Sequence, residues 1–188
     1  MLTAANLITL FRISLVPLFV ASFLYIDRLR FGPWFAFLIF TVAAVLDAVD
    51  GLVARAFNQK SQLGAFLDPL ADKLLMTMVY ILGTKYGIPL YVTILVVSRD
   101  LLIVLGWASL FYFERDTEIR PMMVSKFNTT CQFVTAILIL FNIALSESGG
   151  LPQGILNAAL IVTTLTTVVS GIACFGEWYN RMGGFTRA

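Results

Sequence analysis

Residues 46–76 read LDAVDGLVARAFNQKSQLGAFLDPLADKLLM and hold four aspartates between long apolar runs. Asp47 and Asp50 are three residues apart, and Asp68 and Asp72 are four residues apart. Side chains at these spacings share one face of an α-helix. The stretch therefore predicts the end of one helix and the start of the next, each with two carboxylates on one face. The connection between them is short enough to make the two helices antiparallel neighbours.

The composition around this stretch is typical of a membrane protein. Of the 188 residues, 59% are hydrophobic and 13% are charged, whereas soluble domains average about 25% charged residues. A helix needs roughly 20 apolar residues to cross the hydrocarbon core of a bilayer. Six stretches approach or exceed that length, at about 3–26, 32–56, 66–84, 88–113, 126–146 and 153–178. We expect an all-α integral membrane bundle of six transmembrane helices, forming a single catalytic domain over residues 1–188.

Glycine and proline separate these helices, and basic residues orient them. The breakers are Gly32-Pro33, Gly87-Ile88-Pro89 and Ser148-Gly149-Gly150-Leu151-Pro152. With the N-terminus in the cytoplasm, the inside segments hold Arg55, Lys60, Arg115, Arg120, Lys126, Arg181 and Arg187, and the outside segments hold Arg28, Arg30 and Lys85. Because basic residues favour the cytoplasmic side, we expect cytoplasmic termini and a cytoplasmic active site in a bacterial inner (plasma) membrane. The first helix lacks a basic n-region and a cleavage site, so it reads as retained.

Three features of composition exclude several kinds of chemistry. The chain has no histidine, which excludes histidine-based acid–base catalysis and imidazole metal ligands. A net charge of +2 does not indicate nucleic acid as a partner. Cys131 and Cys174 lie inside apolar runs, where a free thiol behaves as a small hydrophobic side chain. Ionisable chemistry must therefore depend on carboxylates, lysine, arginine, tyrosine or cysteine.

The four aspartates need a common explanation, because one Asp at the centre of a membrane helix costs about 2.5–3.5 kcal/mol. Carboxylates gathered in one cleft repel one another unless a cation lies among them. Oxygen ligands without thiolate or imidazole suit Mg²⁺, Mn²⁺ or Ca²⁺, and two divalent ions would neutralise four Asp charges. Small residues and an arginine accompany the carboxylates: Gly51, Ala54, Gly64 and Arg55. This combination predicts a phosphate-transfer site.

The pattern Asp47-x2-Asp50-Gly51-x2-Ala54-Arg55-x8-Gly64-x3-Asp68-x3-Asp72 resembles the signature of the CDP-alcohol phosphatidyltransferases, with every fixed position present. The resemblance implies that family's six-helix fold and a membrane-embedded, homodimeric enzyme. Such an enzyme transfers a phosphatidyl group from CDP-diacylglycerol to an alcohol and releases CMP.

The resemblance also implies roles for the signature residues. Metal binding, by two Mg²⁺ or Mn²⁺ ions, would fall to Asp47, Asp50, Asp68 and Asp72. Asp72 would also act as the base that deprotonates the acceptor hydroxyl. The CDP moiety would be bound by Asp47, Asp50, Gly51, Ala54, Arg55 and Gly64.

The second half of the chain holds the candidate acceptor-binding residues, Arg99, Lys126 and Asn128. Arg99 and Asp100 are adjacent in a helix, so we expect them to point to different sides and not simply to pair. Additional candidates are Asn6, Thr9 and Arg12 on the first helix and Lys73 beside Asp72.

Two branches of the family fit. Phosphatidylglycerophosphate synthases, which use glycerol 3-phosphate, resemble the chain in Asn6-x2-Thr9-x2-Arg12 and in DPLADK. Cardiolipin synthases of the CDP-diacylglycerol type resemble it in Ser98-Arg99-Asp100 and in Ser125-Lys126-x-Asn128-Thr129-x2-Gln132. The glycerophosphate enzymes usually carry cations where this chain has Trp107 and Asn128. A nearly dianionic phosphate monoester is best held by several cations, so phosphatidylglycerol is the expected acceptor and glycerol 3-phosphate the alternative.

Three other interpretations of the four aspartates fit the sequence less well. The carboxylates could be helix-end residues that reach the membrane interface and pair with Arg55, Lys60 and Lys73, but that would not explain the glycine spacing. An ion-coupled transporter also uses buried carboxylates, but such proteins often show repeated halves, and this chain has one acidic cluster. A silent membrane scaffold would not need Asp72.

Overall fold

The structure is a computed structural model that describes the backbone at residues 4–26, 31–57, 62–112, 123–146 and 149–183. Side chains are described at residues 14–26, 31–46, 73–106, 123–146 and 149–179. The helices are α1 (Ala4–Leu24), α2 (Gly32–Phe57), α3 (Gln62–Gly83), α4 (Leu90–Tyr112), α5 (Met123–Ala144) and α6 (Gln153–Gly183), with a short 3₁₀ helix at Thr84–Tyr86. Within these ranges the fold is all-helical, as the sequence predicts, and it divides into two compact units.

The first unit comprises Met1–Tyr86 and Ala136–Leu151, and α1 packs there against both α2 and α3. The buried face of α1 carries Leu15, Phe19 and Phe23 at four-residue intervals, which places them on one side of the helix. The Phe19 ring centroid lies 5.6 Å from that of Phe23 and 6.4 Å from that of Phe40 on α2. Ala36, one helical turn before Phe40 on α2, is also fully buried.

The breakers predicted from the sequence separate the helices where expected. Gly87 has a φ of 100°, a left-handed conformation that favours glycine, and it lies between the 3₁₀ helix and α4. Asn142 closes the α5–α6 connection: its Oδ1 atom accepts a hydrogen bond from the Leu151 backbone N–H at 2.7 Å. Helix α2 begins at Gly32 itself, so this glycine ends the connection from α1.

Gly32 provides a direct test of the α1–α2 connection. A Cβ atom there would lie 2.6 Å from the Ile26 carbonyl oxygen and 2.7 Å from its Cα, and backbone atoms cannot yield as a flexible side chain would. We expect Gly32→Ala to lower the free energy of unfolding by about 1–3 kcal/mol. The matched control is Gly176→Ala on α6, where a Cβ meets nothing within 4 Å and helix propensity predicts a gain of about 0.5–1 kcal/mol. Equal stability of the two variants in detergent unfolding would contradict the expected clash.

The second unit comprises Gly87–Thr135 and Pro152–Ala188, and its helix α6 has an inverted distribution of polarity. Helix α6 buries Thr163, Thr167 and Ser170. It exposes large apolar side chains instead, among them Ile161, Leu165, Ile172 and Phe175, each at least 55% exposed. A helix in water buries its apolar face, so polar-inside packing indicates surroundings that are themselves apolar.

Two described segments are long and apolar enough to cross a membrane by length and composition, Met123–Ala144 and Gln153–Tyr179. Shorter apolar helical segments, Ser14–Leu24 and Gly32–Leu46, occur on α1 and α2. The described residues form six α-helices, and the prediction that all six span the membrane stays a prediction. A single catalytic domain over residues 1–188 likewise stays a prediction.

Candidate functional site

The four signature aspartates lie on helical backbone, as predicted. Asp47 and Asp50 are in the second half of α2, and Asp68 and Asp72 are in the first half of α3. Their side chains lie outside the described residues, together with those of Gly51, Ala54, Arg55, Gly64, Asn6, Thr9 and Arg12. The metal and CDP-binding roles of these residues therefore stay predictions, and only the helical spacing on which they depend is confirmed.

Among the described side chains there is no group of three carboxylates or thiols that could hold a metal ion. The signature aspartates are not among those side chains. Lys73, one residue beyond Asp72, is half-buried. The signature aspartates therefore stay the predicted metal ligands, and their oxygen donors suit Mg²⁺ or Mn²⁺.

The candidate residue Arg99 on α4 is buried, with 3% of its surface exposed, and hydrogen bonds fix its guanidinium group. Its guanidinium Nε donates to Ser170 Oγ on α6 at 3.2 Å, and Nη2 donates to the same oxygen at 3.0 Å. Nη2 also donates to Ser125 Oγ on α5 at 2.6 Å and to the Ser125 carbonyl oxygen at 3.2 Å. Arg99 thus joins three helices of the second unit through its planar group of donors.

Arg99 and Asp100 do pair, so the expectation that they point to different sides of the helix is wrong, although Asp100 is not the sole partner of Arg99. Nη1 of Arg99 donates to Asp100 Oδ1 at 2.7 Å, and both side chains are buried. The long arginine side chain curls back along α4, since a buried carboxylate without a positive partner would cost several kcal/mol. The positive charge of Arg99 is consequently compensated within its own helix, and one of its five N–H groups, on Nη1, has no partner among the described residues.

Asn128 on α5 is fully buried, and its amide is held at one end only. Thr167 on α6 donates to Asn128 Oδ1 at 2.9 Å, and Gln132 Nε2 donates to Thr167 Oγ1 at 3.2 Å. The amide nitrogen of Asn128 carries two N–H groups but has no hydrogen-bond partner among the described residues. Within the described part of the chain, no other buried side-chain nitrogen or oxygen lacks a partner.

These contacts belong to a polar seam between α5 and α6 within the second unit. Its members are Ser125, Asn128, Gln132 and Thr135 on α5, and Thr163, Thr167 and Ser170 on α6. At its far end the hydroxyls of Thr135 and Thr163 are 2.7 Å apart. The α6 half was not predicted from the sequence, although the spacing of its three members at i, i+4 and i+7 in an apolar helix could have indicated it.

The structure brings two of the three acceptor candidates together. Arg99 binds Ser125, which precedes Asn128 by one helical turn, and Ser170, which follows the Asn128 partner Thr167 by one turn. Lys126, by contrast, is exposed on α5. The buried part of the candidate acceptor site therefore offers one arginine N–H group and the amide of Asn128.

Comparison with known proteins agrees with the signature. The family described as CDP-alcohol phosphatidyltransferase matches residues 2–169, which include the signature and every member of the polar seam except Ser170. The chain is 36% identical over 139 residues to the CDP-diacylglycerol–glycerol-3-phosphate 3-phosphatidyltransferase of Escherichia coli (strain K12), and equally to that of Shigella flexneri serotype 5b. The similarity covers 72% of this chain and 75% of each relative. The chain therefore belongs to the CDP-alcohol phosphatidyltransferase family and is a phosphatidyl-transferring enzyme of phospholipid biosynthesis.

Proposed function

We propose that this enzyme transfers the phosphatidyl group of CDP-diacylglycerol to glycerol 3-phosphate and releases CMP. The observation that carries the proposal is the 36% identity to relatives named for this acceptor, over a range that covers 72% of the chain. The relatives favour the alternative of the sequence analysis over its first choice, phosphatidylglycerol. That first choice depends on the absence of cations at Trp107 and Asn128 and on the local resemblance around Ser98-Arg99-Asp100 and Ser125–Gln132, and these short stretches weigh less than similarity over 139 residues.

In the proposed reaction the acceptor hydroxyl attacks the phosphorus that carries the diacylglycerol. A new phosphorus–oxygen bond forms, the bond from this phosphorus to the oxygen of the CMP phosphate breaks, and CMP leaves with the bonding electron pair. Asp72 accepts the hydroxyl proton. Gly51, Ala54, Arg55 and Gly64 surround the CDP moiety. Two divalent ions bound by Asp47, Asp50, Asp68 and Asp72 would polarise the diphosphate and offset the charge that develops on CMP.

A second candidate acceptor, phosphatidylglycerol, is favoured by a specific observation in the second unit. Asp100 compensates the charge of Arg99 at 2.7 Å, and Asn128 is neutral where the glycerophosphate enzymes usually carry lysine. A site with so little net positive charge suits a phosphodiester with one charge better than a monoester with nearly two. The product would then be cardiolipin.

A product analysis separates the two acceptors. We expect purified enzyme with CDP-diacylglycerol and Mg²⁺ to form phosphatidylglycerophosphate and CMP when glycerol 3-phosphate is added, as measured by mass spectrometry of the lipids. A reaction without acceptor measures background hydrolysis. Product with phosphatidylglycerol alone would refute the glycerol 3-phosphate proposal and establish the second candidate. Activity that survives complete removal of divalent metal by chelation would contradict the proposed metal requirement.

We further propose six membrane spans, cytoplasmic termini and a homodimer in a bacterial inner membrane. The inverted polarity of α6 and the two segments of spanning length support membrane insertion. The orientation depends on the distribution of basic residues, and the homodimer depends on the family resemblance. Labelling of single cysteines, introduced near each terminus of a cysteine-free variant, tests the orientation in intact cells.

A further inference from the structure

We propose that Thr167 and Gln132 are positioning residues that orient the Asn128 amide so that its NH₂ group is available to an oxygen of the acceptor. This inference rests on the proposed transfer function, because it assigns Asn128 to the acceptor of that reaction. It adds a specificity mechanism that spans α5 and α6 and uses residues outside the aspartate signature.

The hydrogen bonds from Gln132 through Thr167 to Asn128 all run in one direction. Gln132 Nε2 can only donate, so Thr167 Oγ1 accepts from it at 3.2 Å. A hydroxyl has one hydrogen, and Thr167 directs it at Asn128, 2.9 Å away. The atom of Asn128 at this position must then be the acceptor Oδ1, which leaves the two N–H groups of Nδ2 at the other end of the amide.

Thr167 differs from its neighbours on α6 in the acceptor of its hydroxyl group. Thr164 and Thr166 donate to carbonyl oxygens of their own helix, at 2.7 Å and 3.1 Å, which is the usual local arrangement for threonine. Thr167 donates across to α5 instead. Its hydroxyl is therefore used to fix another side chain.

The unpartnered amide nitrogen of Asn128 has an energetic cost that a bound acceptor would remove. A buried donor without a partner costs about 1–3 kcal/mol, and Asn128 Nδ2 is such a donor. An incoming hydroxyl, phosphate or phosphodiester oxygen would satisfy it. Lysine at this position would offer a charge that attracts any anion, whereas an oriented amide selects by geometry. The amide therefore suits recognition of an acceptor that carries both hydroxyl and phosphate oxygens.

Kinetics of threonine variants test the positioning role. We expect Thr167→Val to raise the KM for the acceptor about tenfold, the effect of losing one oriented hydrogen bond, and to leave the KM for CDP-diacylglycerol unchanged. Thr167→Ser, which keeps the hydroxyl, should restore the wild-type KM. The matched control is Thr166→Val on the same helix, which should change neither constant. A folded Thr167→Val enzyme with the wild-type acceptor KM would overturn the proposal.

A second measurement does not depend on the folding of any threonine variant. We expect the side-chain amide signal of Asn128, in enzyme with ¹⁵N-labelled asparagine and assigned by its loss in Asn128→Asp, to shift when the acceptor is added. Glycerol 3-phosphate and phosphatidylglycerol are added separately. An amide signal that neither acceptor moves, in enzyme that converts one of them, would overturn this inference and leave the transfer function standing. Enzyme that converts neither acceptor would refute the proposed function itself.

A double-variant comparison tests whether Gln132 acts through Thr167. Gln132→Leu removes the donor that sets the direction of the Thr167 hydroxyl, so we expect a smaller rise in acceptor KM than for Thr167→Val. The combined variant should match Thr167→Val alone, since both changes affect one chain of hydrogen bonds. Multiplicative effects on the acceptor KM would show that Gln132 acts independently and would contradict its positioning role.

Discussion

Asp72→Asn is expected to lower the rate of CMP release from CDP-diacylglycerol by about 10²–10⁴-fold, the usual contribution of a general base. Asparagine has nearly the shape of aspartate but cannot accept the proton of the acceptor hydroxyl. It also removes one anionic oxygen from the predicted metal ligands. The measurement is CMP formation by purified enzyme under saturating acceptor and Mg²⁺.

Two further variants make this prediction specific. Asp72→Glu keeps the carboxylate but moves it by one methylene group, so we expect activity between those of the wild type and Asp72→Asn. Asp116→Asn, in the connection between α4 and α5, removes a carboxylate outside the signature and should leave the rate unchanged. Undiminished CMP release by folded Asp72→Asn would refute the assignment of the base and revive the interpretation of the aspartates as helix-end residues.

The number and order of the helices could be predicted from the sequence because apolar length and glycine–proline breakers are local properties. The predicted ends of the helices were less accurate than their number and order. Helix α6 extends to Gly183, beyond the predicted end at residue 178, because an apolar stretch measures the part of a helix in hydrocarbon. The polar residues that follow Trp178 continue the helix.

The polar seam could be predicted only in part because it depends on which face of α6 turns inward. Thr163, Thr164, Thr166 and Thr167 are indistinguishable in composition, and two of them bond within their own helix while the other two bond to α5. The sequence alone does identify Asn128 as a polar residue in an apolar helix. Its unpartnered amide nitrogen, in contrast, is a property of packing that no single sequence reveals.

Arg99→Met is expected to lower the free energy of unfolding by about 3–5 kcal/mol, because it removes one partner of a buried ion pair. The Asp100 carboxylate loses the Arg99 guanidinium that lies 2.7 Å from it. The hydroxyls of Ser125 and Ser170 lose their donor at the same time. Unfolding of detergent-solubilised protein by a denaturing detergent measures the change. Lys126→Met on the neighbouring helix provides the control. Because Lys126 is exposed, this substitution should change the free energy of unfolding by no more than about 0.5 kcal/mol.

The decisive comparison is the double variant Arg99→Met/Asp100→Asn. Removing both charges leaves no buried carboxylate in need of a cation, and replacing a whole buried ion pair is often nearly neutral. We therefore expect the double variant to be more stable than Arg99→Met alone, although it has lost more native contacts. This order holds even where the single variant folds too poorly to purify, since the double variant should then be recovered in greater yield. If the double variant were as unstable as the single one, charge compensation would not explain the burial of Arg99. The shared contacts to Ser125 and Ser170 would then be the dominant stabilising interaction.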